Sequence, residues 1–155
     1  MVKKEKQKNK IFLLAVASII VLDQITKSAA KAYLEEPFQI IKNFISFSYV
    51  KNTGAGFGIL QGQNLMIAFL TLAFVGAVLY FYDKIPHEKK TVVFTGLLLG
   101  GAVGNLIDRF ALGFVRDFIA FSFWPAFNVA DMGITVGGIG LIVYLWKEDR
   151  KNKKK

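Results

Sequence analysis

The chain has 155 residues, 54% of them apolar, with a mean hydropathy of +0.42; its charges gather in short blocks between long uncharged runs, the pattern of an integral membrane protein. The formal charge of +9 sits mainly at the two ends and in one loop, which reads as a topology signal with attraction to anionic lipid and argues against nucleic-acid binding. With no Cys and one His, thiol nucleophiles, disulfides and Cys-ligated metals are excluded, and no cofactor is expected.

Residues 1–10 carry five Lys and precede the first apolar stretch, residues 11–33. At about 1.5 Å per residue this stretch crosses roughly 30 Å of hydrocarbon. Its start has the outline of a cleavable signal peptide, with small residues at Ala30 and Ala32. Asp23 and Lys27 interrupt that outline, and three further spans make a retained helix the simpler reading. Asp23 and Lys27 are also i,i+4 neighbours on one helical face, suited to neutralising each other.

In the connection 34–63, residues 44–50 place Ile45, Phe47 and Tyr49 on one face and Ser46 and Ser48 on the other, which predicts a strand in a small sheet. A Gly-rich turn follows, Asn52-Thr53-Gly54-Ala55-Gly56, whose Asn can donate to a carbonyl or carboxylate. Residues 64–82 form a second span. The loop 83–90 holds three Lys and the only His, His87, read as a solvated surface residue; a Ser-His-Asp triad on the opposite side is thereby excluded.

The third span, residues 91–107, carries Gly96, Gly100 and Gly104 at four-residue intervals, a pattern for close helix packing, and ends near Asn105, Asp108 and Arg109. Residues 108–124 form a second long connection. It holds Asp117, and its aromatic part, 118–124, is expected to lie in the headgroup layer. The fourth span, 125–146, begins around Asn128, Ala130 and Asp131 and continues through Gly133 and Gly137; residues 147–155 add six basic side chains. Of the 20 Lys and Arg, 14 fall in the two ends and the 83–90 loop. That bias places both ends in the cytoplasm and the long connections outside. The expected fold is an all-α membrane protein, a four-transmembrane-helix bundle with a small extracytoplasmic β-sheet and an interfacial loop, forming one domain over 1–155 with basic cytoplasmic tails at 1–10 and 147–155.

Counting from the cytoplasmic end of each helix puts Asp23 roughly 18 Å up, Asn105 about 21 Å and Asp131 about 22 Å. Three helices thus bring polar groups to one level in the outer leaflet, and Asp117 can fold down to it. Asp131 has no cation within four residues. An unpaired acid at membrane depth is a candidate functional residue. Two carboxylates a few ångström apart cannot both ionise easily, so one activates water while the other, protonated, polarises a carbonyl, the aspartic-protease arrangement. A proton-coupled carrier is the competing use of such acids.

The motifs Asp23-Gln24-Ile25-Thr26-Lys27, Asn52-Thr53-Gly54-Ala55, Gly104-Asn105-Leu106-Ile107-Asp108-Arg109, Asp117-Phe118 and Phe127-Asn128-Val129-Ala130-Asp131 resemble, in order and position, those of lipoprotein signal peptidase, the type II signal peptidase. The resemblance covers residues 11–146. It implies an aspartic endopeptidase of the bacterial cytoplasmic membrane that removes the signal peptide from prolipoproteins, cutting on the amino side of a diacylglyceryl-modified Cys. It further implies Asp117 and Asp131 as the catalytic dyad, and Asp23, Lys27, Asn52, Gly54, Asn105, Arg109, Asn128 and Ala130 as positions that orient the dyad or the substrate. Membrane lipids are implied as partners and globomycin-type cyclic peptides as inhibitors. Three residues depart from the family pattern: Arg116 replaces an expected aliphatic residue, Met132 an expected Ser, and Gly56 the commoner Ala. Because adjacent residues of an extended segment point to opposite faces, Arg116 is expected to turn from the dyad toward lipid headgroups.

Overall fold

Apolar runs free of internal Pro form the helices α1 (Val2–Tyr33), α2 (Asn64–Tyr80), α3 (Lys89–Leu112) and α4 (Val129–Asn152). The computed structural model describes residues 2–86 and 88–153, so His87 lies outside the described residues. Among the described residues, α1, α3 and α4 are long and apolar enough to cross a membrane, while α2 is a shorter apolar helix of 17 residues. Both α1 and α4 run beyond their apolar stretches into the Lys-rich ends, where Lys and Glu favour helix.

Helix α3 lies between α1 and α4, and glycines let it approach both. A Cβ on Gly96 would stand 2.7 Å from Ala15 Cβ of α1; one on Gly133 of α4 would stand 3.0 Å from the Leu97 carbonyl of α3. The expected small-residue seams are therefore backbone-to-backbone contacts. Phe12, Val75, Val92, Leu99 and Ala102 join α1, α2 and α3 in a buried cluster, and Lys8 is tucked in beside it, donating to the Tyr82 carbonyl at 3.2 Å. Leu13, Leu14, Phe69, Leu70, Ile139 and Ile142 face outward, as apolar surroundings would favour.

Four strands, β1 (Phe38–Ile41), β2 (Ile45–Asn52), β3 (Val115–Phe121) and β4 (Trp124–Phe127), form an antiparallel sheet in the order β1-β2-β3-β4. The expected strand at 44–50 is present as β2. The aromatic segment 118–124 is not the expected loop: it forms the end of β3 and the turn into β4, with Phe121 and Phe127 stacked at 5.9 Å. Extended backbone beside β2 finds hydrogen-bond partners that a loop would lack, and the aromatics suit strand.

Two helix boundaries also differ from expectation. Helix α3 continues through Asp108 and Arg109 to Leu112, because buried partners await both side chains, and it stops at Gly113, whose φ of +81° provides a left-handed cap with N–H to the Arg109 carbonyl at 3.2 Å. Helix α4 starts at Val129 rather than at Pro125, which lies in the edge strand β4, where a missing N–H is tolerated.

Candidate active site

The site is assembled where α4 begins. Asn128 is extended (φ −135°, ψ −177°); its Oδ1 accepts the Asp131 N–H at 2.9 Å, while Asp131 Oδ2 accepts the Asn128 N–H at 3.1 Å. This reciprocal capping box fixes the Asp131 carboxylate at the helix N-terminus, where the dipole favours negative charge. The other oxygen, Oδ1, accepts from Asn105 Nδ2 at 2.8 Å.

Asp117 reaches the same place from β3. Opposite Val50 in the β2–β3 register, it has Asn52 as its diagonal neighbour on that face. Asn52 Nδ2 donates to Asp117 Oδ2 at 2.8 Å and Asn128 Nδ2 donates to Oδ1 at 2.6 Å. Only 1% of Asp117 is exposed. Burial first, and then the charge of Asp131, push its carboxyl up to about 7, against the lowering effect of the two amides. Asp117 and Asp131 both line a cavity of about 220 Å³, walled also by Asn52, Asn105, Arg109 and the strand Trp124–Phe127.

The donors present dictate how the amides point. Lys27 can only donate, and its three protons meet Asp23 Oδ2 (2.8 Å), Asp108 Oδ2 (3.4 Å) and Asn105 Oδ1 (2.9 Å). Asn105 must therefore turn its oxygen to Lys27, which leaves its NH₂ for Asp131. Likewise Asn128, with its oxygen committed to the cap, offers its NH₂ to Asp117. Each acid of the pair thus receives an amide donor whose orientation is set elsewhere.

Close approach accounts for one glycine and one alanine position. The Gly54 N–H donates to Asn52 Oδ1 at 2.9 Å, and a Cβ there would lie 2.7 Å from the Ile59 carbonyl; its own carbonyl accepts from Arg109 Nη2 at 3.0 Å. Fully buried Ala130 donates its N–H to Asp23 Oδ1 at 2.9 Å and packs over Gly104. At Gly56 nothing stands within 4 Å of a Cβ, so the commoner Ala would fit. Met132 is exposed, turned away from the acid beside it.

Asp23, Lys27, Asn52, Gly54, Asn105, Arg109, Asn128 and Ala130 are all brought together with Asp117 and Asp131. One reading needs correction. Arg116 does not face headgroups: it is 8% exposed, and its guanidinium binds Asp108 (Nη2 2.7 Å, Nε 3.1 Å) and Gln24 (2.8 Å). Asp108 takes its cations from Arg116 and Lys27, while adjacent Arg109 turns to the cavity and the carbonyls of Gly54 and Asn105. The half of the expectation that holds is geometric, since Arg116 and Asp117 lie on opposite faces of β3.

Comparison with known proteins bears on what this pair of acids does. Residues 15–147 match the family model described as signal peptidase (SPase) II. The chain belongs to the signal peptidase II family. A lipoprotein signal peptidase of Halothermothrix orenii is 38% identical, over 88% of this chain and 96% of that protein; one of Caldanaerobacter subterraneus subsp. tengcongensis is 43% identical, over 82% and 90%. A bacterial membrane enzyme solved by the in meso method superposes with a TM-score of 0.84 at 32% identity, covering 93% of this chain and 92% of its own. Signal peptidase II is a membrane aspartic peptidase, and the proton-coupled carrier reading finds no support.

For this signal peptidase II chain, Gln24 and Arg116 are the contributors that spacing alone did not place. The signal was available in two places. Val115, Phe118, Ile119 and Phe121 give the segment the β-branched and aromatic content of a strand, and Asp23, Lys27 and Asp108 leave one buried negative charge without a cation.

Proposed function

We propose that the chain removes signal peptides from diacylglyceryl-modified prolipoproteins as a membrane aspartic endopeptidase, with Asp117 and Asp131 as its dyad. The observation that carries this is the pair itself: two acids from different elements, each oriented by an amide, facing one cavity in a chain whose family processes lipoproteins. The charged carboxylate takes a proton from water, whose oxygen adds to the carbonyl carbon on the amino side of the lipidated Cys. The protonated carboxyl gives its proton to the carbonyl oxygen; collapse of the resulting diol then breaks the C–N bond as a proton passes to the leaving amine.

Around that dyad, Asn52, Asn105 and Asn128 orient the acids, Arg109 and the Gly54 carbonyl shape the cavity, and Asp23, Lys27 and Ala130 hold α1 against α4. Residues 1–155 act as one domain, with four membrane spans and both basic ends in the cytoplasm. The sheet and the dyad lie toward the outer leaflet of the bacterial cytoplasmic membrane, where a translocated, lipidated substrate waits among membrane lipids. Globomycin-type cyclic peptides compete for the cavity.

The test is direct. Protein purified in detergent is incubated with a diacylated prolipoprotein peptide and the products weighed by mass spectrometry. A single cut before the modified Cys is expected from the wild type; near-normal cleavage by Asp117→Asn or Asp131→Asn would sink the dyad assignment.

A further inference from the structure

We infer that Arg116 is a positioning residue for the hydrolysis: by clamping one face of β3 to α1 and α3, it sets where Asp117 stands on the other. The inference rests on the dyad reading above and adds a residue to it.

Residue 116 is tied to Asp108 twice. Its backbone N–H donates to Asp108 Oδ2 at 2.9 Å, a bond that any residue except Pro would make, and its guanidinium adds Nε to the same oxygen at 3.1 Å and Nη2 to Oδ1 at 2.7 Å. The guanidinium also reaches α1, donating to Gln24 Oε1 at 2.8 Å and Ser28 Oγ at 3.4 Å. Gln24 in turn donates to Asp23 Oδ2, the Gly104 carbonyl and Asp108 Oδ1. One side chain thus joins a strand to two helices through a planar fork, a geometry Lys cannot copy.

Charge explains why the clamp is stable. Asp23 and Asp108 face Lys27 alone among the helices' own cations in this cluster, and Arg116 makes the balance two against two. The sheet supplies no such balance, since β2 sets Lys51 directly opposite Arg116. On the far face, Asp117 is held by Asn52 of β2 and by the cap residue Asn128. The tie from its own strand to α1 and α3 therefore runs through the residue before it. A shift of the strand by a fraction of an ångström moves the acid relative to Asp131, which belongs to α4.

Full-length protein in detergent, with a diacylated prolipoprotein peptide, gives kcat and KM separately. Arg116→Lys, which keeps charge but not the fork, is expected to lower kcat about tenfold with KM within about twofold, as misplacement of a reacting group does. Gln24→Leu should lower kcat in the same sense, and in an Arg116→Lys background it should cost less than its effect alone, because both act on one joint. Wild-type kcat in Arg116→Lys, a loss confined to KM, or effects of the two substitutions that simply multiply would each overturn the proposal. Asp117→Asn, run beside them, separates the two readings: if it still cleaves, the dyad fails; if it is inactive while Arg116→Lys matches wild type, only the clamp fails.

Discussion

On one face of β3, Arg116 meets Asp108 at 2.7 Å within a set of two acids and two bases. On the other face, one residue along, Asp117 meets two amide donors and shares a cavity with a second acid. Both faces are buried, so depth alone does not separate structure from chemistry. What separates them is whether each charge is held in a direct ion pair, as Asp23 and Asp108 are. Paired charge holds elements together and is costly to break; an acid held by neutral donors keeps a proton available near neutral pH.

That contrast can be broken most severely at the acids. Asp117→Asn and Asp131→Asn should each lower turnover by about 10²–10⁴-fold, the range for loss of a general acid or base, while gel filtration and circular dichroism remain those of the folded protein. The opposite pattern is expected across the strand. Asp108→Ala strands Arg116 in the interior and removes one of Lys27's three partners, so it should destabilise by about 3–5 kcal/mol, visible as a lower thermal midpoint in detergent. Lys27→Ala belongs with Asp108→Ala, impairing folding more than chemistry; full loss of turnover at unchanged stability would move Lys27 to the other side of the comparison.

Proton occupancy sharpens the contrast at smaller amplitude. Burial and the charge of Asp131 push the Asp117 carboxyl up to about 7 from 3.8, so in the proposed dyad its proton is present below that pH and lost above it, and kcat/KM should fall on an alkaline limb near 7. The amides of Asn52 and Asn128 lower this value, so Asn52→Ala should move the limb upward. The linked stability has the same sign. A carboxyl whose folded value is raised contributes stability fully below about pH 4, and that contribution is lost as pH rises through about 7. Urea midpoints of wild type should therefore fall across that window more than those of Asp117→Asn. The smallest expected effect is none at all: EDTA should leave the rate unchanged, and loss of activity restored by zinc would overturn water activation by carboxylates alone.

Much of this site was legible because it rests on helices. Apolar runs and a rise of about 1.5 Å per residue suffice to bring Asp23, Asn105 and Asp131 to one level, and the Asn128–Asp131 spacing is that of a capping box. The strand pairing was harder. Strand β3 pairs with β2, far away in the chain, and the aromatic content of residues 118–127 suits a membrane interface as well as a sheet. Missing β3 hid the partner of Arg116, since a basic residue in a presumed loop is most simply sent to solvent or headgroups. The charge sum over Asp23, Lys27 and Asp108 would have asked for one more buried cation.

The glycine seams of α3 act as a gauge block for the whole site. Because Gly96 and Gly100 abut the α1 backbone and Gly101 abuts α4, neither neighbour can slide along α3 without collision. A slip of one residue would carry Asn105 about 1.5 Å along its axis and turn it about 100°, breaking its bonds to Lys27 and Asp131 together. Enlarging Gly100, whose neighbours across the seam are Val16 and Ile19, is in that sense a change to the spacing of the proposed catalytic groups. The lipid-facing side chains of the same helices carry no such constraint and are free to drift.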